Sequence, residues 1–149
     1  MNLFITSNAN CSPSNVLKNK LNKAFICLCQ EEQITNCSIN LKIIDDIEMK
    51  KLNNDFRSIN KPTNVLSFAN EDISKSHTGN LGDIAINSDY VVRESKEQKK
   101  HYDDHMIHML IHGVYHILGY DHERNEEAYN MESKEINLLK KLNINNPYK

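Results

Sequence analysis

Residues His105–His122, with the sequence HMIHMLIHGVYHILGYDH, combine an apolar helical pattern with closely spaced histidines. His112 and His116 are four residues apart inside an apolar run that extends from Met106 to Leu118. Positions i and i+4 lie one above the other on the same face of an α-helix, so both imidazoles can reach one ion. The stretch therefore predicts a helix that carries two ligands of a metal site.

A third histidine follows a glycine turn. Gly119 supplies the backbone freedom that a chain needs to leave a helix. The turn formed by Gly119, Tyr120 and Asp121 can bring His122 back towards the other two imidazoles. Three neutral imidazoles suit zinc and leave a fourth position for water, which is typical of catalytic rather than structural sites. We therefore expect one zinc ion, with His112, His116 and His122 as its ligands.

Other histidines continue the same helical stripe and allow a second interpretation. His101, His105 and His108 precede the pair at helical spacing, so the stretch could be a histidine-rich face without a metal. The third histidine at a fixed offset beyond a glycine turn favours the metal site. We interpret His101 and His105 as structural or solvent-facing, and His108 as a residue that supports the site or packs in the core.

The spacing H-x3-H-x5-H also invites comparison with zinc peptidases. In their helix motif, H-E-x-x-H, the glutamate acts as the general base. In this chain the residue after His112 is Gly113. The ligand set therefore fits a hydrolytic zinc ion, but the base that a peptidase needs is missing from its usual place.

The histidine block resembles the signature of a known family. From His112 to His122 the sequence HGVYHILGYDH is similar to the signature of the YbeY-type endoribonucleases of rRNA maturation, which are bacterial zinc proteins. Two further blocks resemble that family in the same order: NDFR at 54–57 followed by KPTNVLSF at 61–68, and LGDIAI at 81–86. The main departure is at Val114 and Tyr115, which affects helix packing and none of the ligands.

The resemblance implies a function and a set of site residues. It implies a single-strand-specific, zinc-dependent endoribonuclease that acts in 16S rRNA 3′-end maturation and ribosome quality control. Its partners would be single-stranded rRNA and the ribosome or small subunit with associated factors. The catalytic residues would be Arg57, His112 and His116, because Arg57 matches an arginine thought to act in the family's RNA cleavage. A guanidinium suits this role since it is always charged and can hold two phosphate oxygens.

Two alternatives stay open at this point. One is a zinc peptidase or amidohydrolase, which would need a carboxylate within one water of the metal. The other is a non-catalytic, ribosome-associated zinc protein, which would need a metal without an open coordination position.

Length and composition limit the class of protein. With 149 residues, 39% of them hydrophobic and 26% charged, the chain is expected to form one domain, 1–149. A net charge of −2 indicates that any RNA binding uses a local patch. We expect a cytoplasmic protein, because no signal peptide or membrane span is evident and the four cysteines suit free thiols in a reducing compartment.

The order of predicted elements indicates an α+β fold. Strands separated by helices favour parallel pairing, and two adjacent strands around a polar loop favour one antiparallel pairing. We expect a four-stranded mixed sheet with helices packed on it, one of them the zinc-binding histidine helix. The predicted strands are 2–6, 37–44, 65–68 as a second central strand, and 81–86; the helices begin near 14, 45, 88, 106 and 125.

A few polar residues near these blocks could also line or support the site. Thr63, Asn64 and Ser67 either line the cleft or cap a turn. Asp121 either orients its neighbour His122 as a hydrogen-bond acceptor or serves as a turn residue. Asp83 could face the cleft or pair with a histidine, but we do not expect it to be a metal ligand. The polar loop 69–79, which contains His77, is expected to be mobile.

Overall fold

Helices pack on both faces of one four-stranded sheet. The computed structural model describes residues 1–71 and 79–149, so His77 and most of the predicted polar loop lie outside the described residues. The strands are β1 (Asn2–Ser7), β2 (Ser38–Ile44), β3 (Val65–Ala69) and β4 (Asn80–Asn87). The α-helices are α1 (Asn15–Glu31), α2 (Asp46–Arg57), α3 (Ser88–Glu97), α4 (Tyr102–Ile117) and α5 (Asn125–Lys141), and a 3-10 turn spans Ala9–Cys11.

The sheet has the order β1-β2-β4-β3. β1 pairs with β2 and β2 with β4 in parallel, whereas β3 pairs with β4 in antiparallel orientation. The predicted mixed sheet with one antiparallel pair is therefore confirmed. The prediction that 65–68 forms a central strand is wrong, because β4 lies between β2 and β3 and leaves β3 at the edge. Only Leu66 of β3 is buried, as suits a short edge strand.

Local capping sets where several elements begin. Ser14 accepts a hydrogen bond from the backbone N–H of Leu17 and thereby starts α1. Asp45 caps α2 in the same way. Arg57, predicted to begin a loop, is instead the last residue of α2, and Ser58 ends that helix with a left-handed backbone conformation.

The main core lies between the sheet and helix α4. α4 contacts α1, α5, β3 and β4. Its side chains are buried along most of its length, including Leu110, Ile111 and Tyr115. A smaller apolar cluster, which includes Ile44 and Met49, lies under α2 on the opposite face of the sheet. Because α4 is held from several sides, its C-terminal turn is a rigid support for the histidines.

The buried face of helix α5 differs from the face that the sequence predicted. Met131 and Leu139 are buried as expected, but Ile136 and Leu142 are only partly buried. Glu135 is fully buried in their place. A search for apolar positions alone misses a buried carboxylate, because such a group becomes tolerable only when the fold supplies its partners.

Among the described residues, no helix has both the length and the apolar character needed to cross a membrane.

Candidate metal centre

Three histidines converge at the C-terminal end of α4. The Nε2 atoms of His112 and His116 are 3.1 Å apart. The chain leaves the helix through Gly119, whose φ of +101° is a conformation that favours glycine. His122 then returns to the pair, and one nitrogen from each of the three imidazoles lies within 4.8 Å of the others. The structure therefore brings together the three residues that the spacing predicted.

The geometry and protonation of this cluster fit a metal ion. Two nitrogens 3.1 Å apart can both lie about 2.0–2.1 Å from one ion. Burial lowers the pKa of His116, and the neighbouring His112 and His122 lower it further, which favours the neutral form that binds metals. His122 is exposed, so the cluster opens towards solvent on that side. The three histidines can hold a metal ion.

A buried carboxylate supports the cluster from behind. Glu135 is 0% exposed, and its Oε1 lies 3.0 Å from Nδ1 of His112 and 3.0 Å from Nε2 of His108. The phenol of Tyr148 donates to Oε2 at 2.9 Å. When Nδ1 of His112 donates a hydrogen bond to Glu135, Nε2 of His112 presents a lone pair to the cluster, as a metal ligand must.

Glu135 carries a negative charge at this position. Burial raises the pKa of Glu135, but the hydrogen bonds with His108 and His112 outweigh that effect and lower the pKa below its usual value. An ionised carboxylate beside a ligand raises the ligand's basicity and offsets the charge of an ion. Sequence reasoning missed this residue, and the available signal was a glutamate within the apolar stripe of α5.

The remaining histidines of the stripe have supporting or structural positions. His108 is buried and bonded to Glu135, so it supports the cluster without belonging to it. His105 is buried with its Nε2 3.2 Å from Oε1 of Glu94, and burial lowers its pKa. His101 is exposed and precedes the first turn of α4.

Gly113, which stands where a peptidase has its glutamate, faces the sheet. A Cβ at this position would lie 2.9 Å from Oγ of Ser67 and 3.0 Å from Cδ1 of Ile84. The site therefore has no room for the carboxylate side chain of the peptidase motif. Among the described residues that line the metal cleft, none is acidic.

The histidines open into a cleft of about 510 Å³ between α4 and the edge strand β3. Arg57, at the end of α2, lines the same cleft and is exposed. Thr63, Asn64 and Ser67 line it as well. The side chain of Asn64 also donates to Glu94 at 3.0 Å, so it ties the cleft to α3. The fold thus places a guanidinium and the three-histidine cluster in one open cavity.

The two aspartates singled out in the sequence have different positions. Oδ1 of Asp121 accepts the backbone N–H of His122 at 2.7 Å and lies 3.5 Å from Nδ1 of the same residue. It therefore shapes the turn and also contacts the histidine. Asp83 does not line the metal cleft, and its side chain bonds Asn40 rather than a histidine. Its neighbours Gly82 and Ile84 face α4, so strand alternation points Asp83 to the other face, where Asn40 donates to it.

Comparison with known proteins finds relatives that match nearly the whole chain. The family model described as Endoribonuclease YbeY matches residues 5–143. A Bartonella bacilliformis protein named Endoribonuclease YbeY is 37% identical over 145 residues, covering 95% of this chain and 92% of the relative. The protein of the same name from Francisella philomiragia is 40% identical over 132 residues, covering 86% and 84% of the two chains.

A solved structure shares the architecture. The solution structure of TM1509 from Thermotoga maritima has a TM-score of 0.68 and 24% sequence identity, and the likeness covers 94% of this chain and 88% of that one. At that identity the likeness shows the fold. The family match over residues 5–143 and the two relatives lead to one conclusion: this chain belongs to the YbeY endoribonuclease family.

Proposed function

We propose that this chain is a zinc-dependent endoribonuclease that cuts single-stranded RNA. The observation that carries the proposal is the presence of Arg57 and the three-histidine cluster in one open cleft. The names of its relatives support the same activity. The whole chain, 1–149, would act as one endoribonuclease domain.

The parts of the cleft would divide the work. His112, His116 and His122 would hold the ion, and His112 and His116 would thereby serve catalysis. Bound zinc supplies Lewis-acid polarisation of a phosphoryl group. Arg57 would bind two phosphate oxygens through its planar guanidinium and stabilise the charge that builds on the phosphate. Glu135 would keep the His112 imidazole in the orientation and tautomer that the ion requires.

The biological substrate is proposed from the family. The enzyme would act in 16S rRNA 3′-end maturation and ribosome quality control, in the cytoplasm, with the ribosome or its small subunit and associated factors as partners. A net charge of −2 gives the chain no overall attraction to RNA. Binding to a ribosomal partner would supply the local concentration that the chain's own charge does not.

Both alternatives meet specific objections. The contact of Gly113 with Ser67 and Ile84, and the lack of acidic groups among the described residues of the cleft, disfavour a peptidase. The exposure of His122 disfavours a closed, purely structural metal site.

The test separates loss of the ion from loss of phosphate binding. His116→Ala should lose zinc, melt at a lower temperature than the zinc-loaded protein and lose RNA cleavage, because ligand binding stabilises the native state by mass action. Arg57→Ala should keep its zinc and melting temperature yet cleave single-stranded RNA about 100-fold or more slowly. Arg57→Lys should recover part of the rate, since an ammonium keeps the charge but not the two-point contact.

The matched control is Arg124→Ala, which removes an exposed arginine that does not line the cleft. It should cleave RNA at the wild-type rate. Full activity in Arg57→Ala, or undiminished cleavage after a chelator has removed the metal, would contradict the proposal. Peptide hydrolysis that depends on His116 would instead support the peptidase hypothesis.

A further inference from the structure

A second groove lies beside the metal cleft, on the face of the sheet that α2 covers only in part. Its volume is about 530 Å³. Phe56 and Phe68 form its aromatic wall, and Leu52 and Ala85 add apolar surface. Phe68 also lines the metal cleft, so the two cavities adjoin at this residue of the edge strand β3.

The two rings of the aromatic wall contact each other, and each is at least partly exposed to solvent. The rings of Phe56 and Phe68 have centroids 5.2 Å apart and are tilted by 57°. Phe56, the next-to-last residue of α2, is 66% exposed. Phe56 is not an isolated exposed residue, because it forms a contiguous apolar surface with Phe68 and Leu52 at this groove, and such surfaces mark binding sites more often than single exposed side chains do. The exposed part of the Phe56 side chain is available to a ligand.

The chemistry of the groove suits a nucleobase. A base is a flat ligand with an apolar face for stacking and polar edges for hydrogen bonds. Thr6 and Asn40 bring polar side chains to the groove beside the aromatic and aliphatic surface. Base–aromatic stacking tolerates any sequence, because every base has a π-face.

The charges around the groove orient such a ligand. Glu48 and Asp83 place carboxylates at the groove, and Lys42 is already paired with Glu48 at 2.8 Å. A phosphate is therefore disfavoured there, whereas Arg57 offers it a cation on the cleft side of Phe56. A strand with its phosphate at Arg57 would direct a neighbouring base towards the two rings.

We propose that Phe56 and Phe68 form a stacking subsite for one unpaired RNA base next to the phosphate held by Arg57. This inference rests on the proposed endoribonuclease function and adds a physical basis for its single-strand preference. A base in a duplex is already stacked and paired, so it cannot enter the groove without opening the helix.

The test combines two changes, removal of the Phe56 ring from the protein and removal of one base from the RNA, first singly and then together. Phe56→Ala should raise KM for a single-stranded oligoribonucleotide about tenfold and leave zinc content unchanged. An abasic nucleotide, moved stepwise along the oligonucleotide, should raise the wild-type KM similarly at one position near the scissile bond. At that position the two changes together should cost no more than either alone, because both remove the same contact.

Further variants separate stacking from folding. Phe56→Leu keeps apolar contact with Phe68 but lacks a π-face, so its KM should resemble that of Phe56→Ala. Phe56→Trp should retain the wild-type KM. Tyr129→Ala, which removes a 73%-exposed aromatic ring from α5, is the control and should change nothing. Binding of a 2-aminopurine oligoribonucleotide in chelator should quench its fluorescence with wild-type protein and not with Phe56→Leu.

The outcomes are distinguishable. If zinc-loaded wild-type protein cleaves no RNA, the proposed function fails and this inference fails with it. Suppose instead that the wild type cleaves RNA, while the increases in KM caused by Phe56→Ala and by the abasic nucleotide multiply when combined. In that case only the stacking subsite is overturned. Self-association that Phe56→Ala abolishes, with RNA cleavage unchanged, would make a second copy of the chain the occupant of the groove and would also overturn it.

Discussion

At the scale of single residues, two glutamates each bond a histidine of α4, but only one of those histidines belongs to the ion cluster. Glu135 bonds His112, which belongs to the ion cluster, and Glu94 bonds His105, which does not. Glu135→Gln keeps the shape of the side chain but removes the charge behind the ligand. We expect it to weaken zinc binding about 10- to 100-fold, because the partner of a ligand histidine sets its basicity and orientation.

The measurement is zinc affinity by competition with a chelator, together with thermal melts of both variants without metal. Glu94→Gln is the matched control and should bind zinc as the wild type does. Equal zinc affinity in Glu135→Gln and Glu94→Gln would show that the buried carboxylate contributes nothing to metal binding.

At the scale of elements, the contact between α4 and the sheet depends on Gly113. Glycine is unfavourable in a helix by about 1 kcal/mol relative to alanine, so a helical position that holds it needs a packing reason. Here the reason is the approach of Ser67 on β3 and Ile84 on β4. The close packing that requires glycine at position 113 therefore also explains why this chain lacks the peptidase glutamate there.

Gly113→Glu should lower the free energy of unfolding by about 3 kcal/mol or more, because it forces a carboxylate into a packed helix–sheet contact. Gly113→Ala should cost less, since its Cβ meets the ends of two side chains and the gain in helix propensity offsets part of the strain. Urea unfolding of the metal-free proteins measures both changes. A Gly113→Glu protein as stable as the wild type would contradict this account of the packing.

At the scale of the whole molecule, the last residues of the chain reach back to the metal centre. Tyr148 donates its hydroxyl to Glu135, and the ammonium of Lys100 donates to the carbonyl of Pro147 at 3.0 Å. Burial and the adjacent carboxylate raise the pKa of Tyr148, so its phenol stays protonated as a donor. The C-terminal segment thus closes the hydrogen-bond network behind His112.

Tyr148→Phe should lower the free energy of unfolding by about 1–2 kcal/mol, because it removes a hydrogen bond to a buried charge. Zinc affinity should fall by less than in Glu135→Gln, since the bond from His112 remains. Denaturant unfolding and chelator competition measure the two effects. Tyr129→Phe, at an exposed tyrosine on α5, is the control, and an identical result for the two variants would remove the C-terminal segment from the network.

The sequence by itself determined the features that depend on neighbours along the chain. Helix periodicity placed His112 and His116 on one face, and Gly119 allowed the turn to His122. Hydroxyl and carboxylate caps marked the starts of α1 and α2. Alternation and element order predicted the mixed sheet with its antiparallel pair. These features follow from local geometry, which has few solutions for a given pattern.

Only the tertiary structure decided which distant residues complete the site. Glu135 lies 23 positions from His112, and its burial depends on hydrogen bonds that no local pattern reveals. Strand order placed β3 at the edge, where it forms one wall of the cleft. The exposed ring of Phe56 likewise gained a partner only when β3 packed beside α2. Such contacts depend on how elements dock, because burial of a charge or exposure of a ring is set by neighbours far away in the chain.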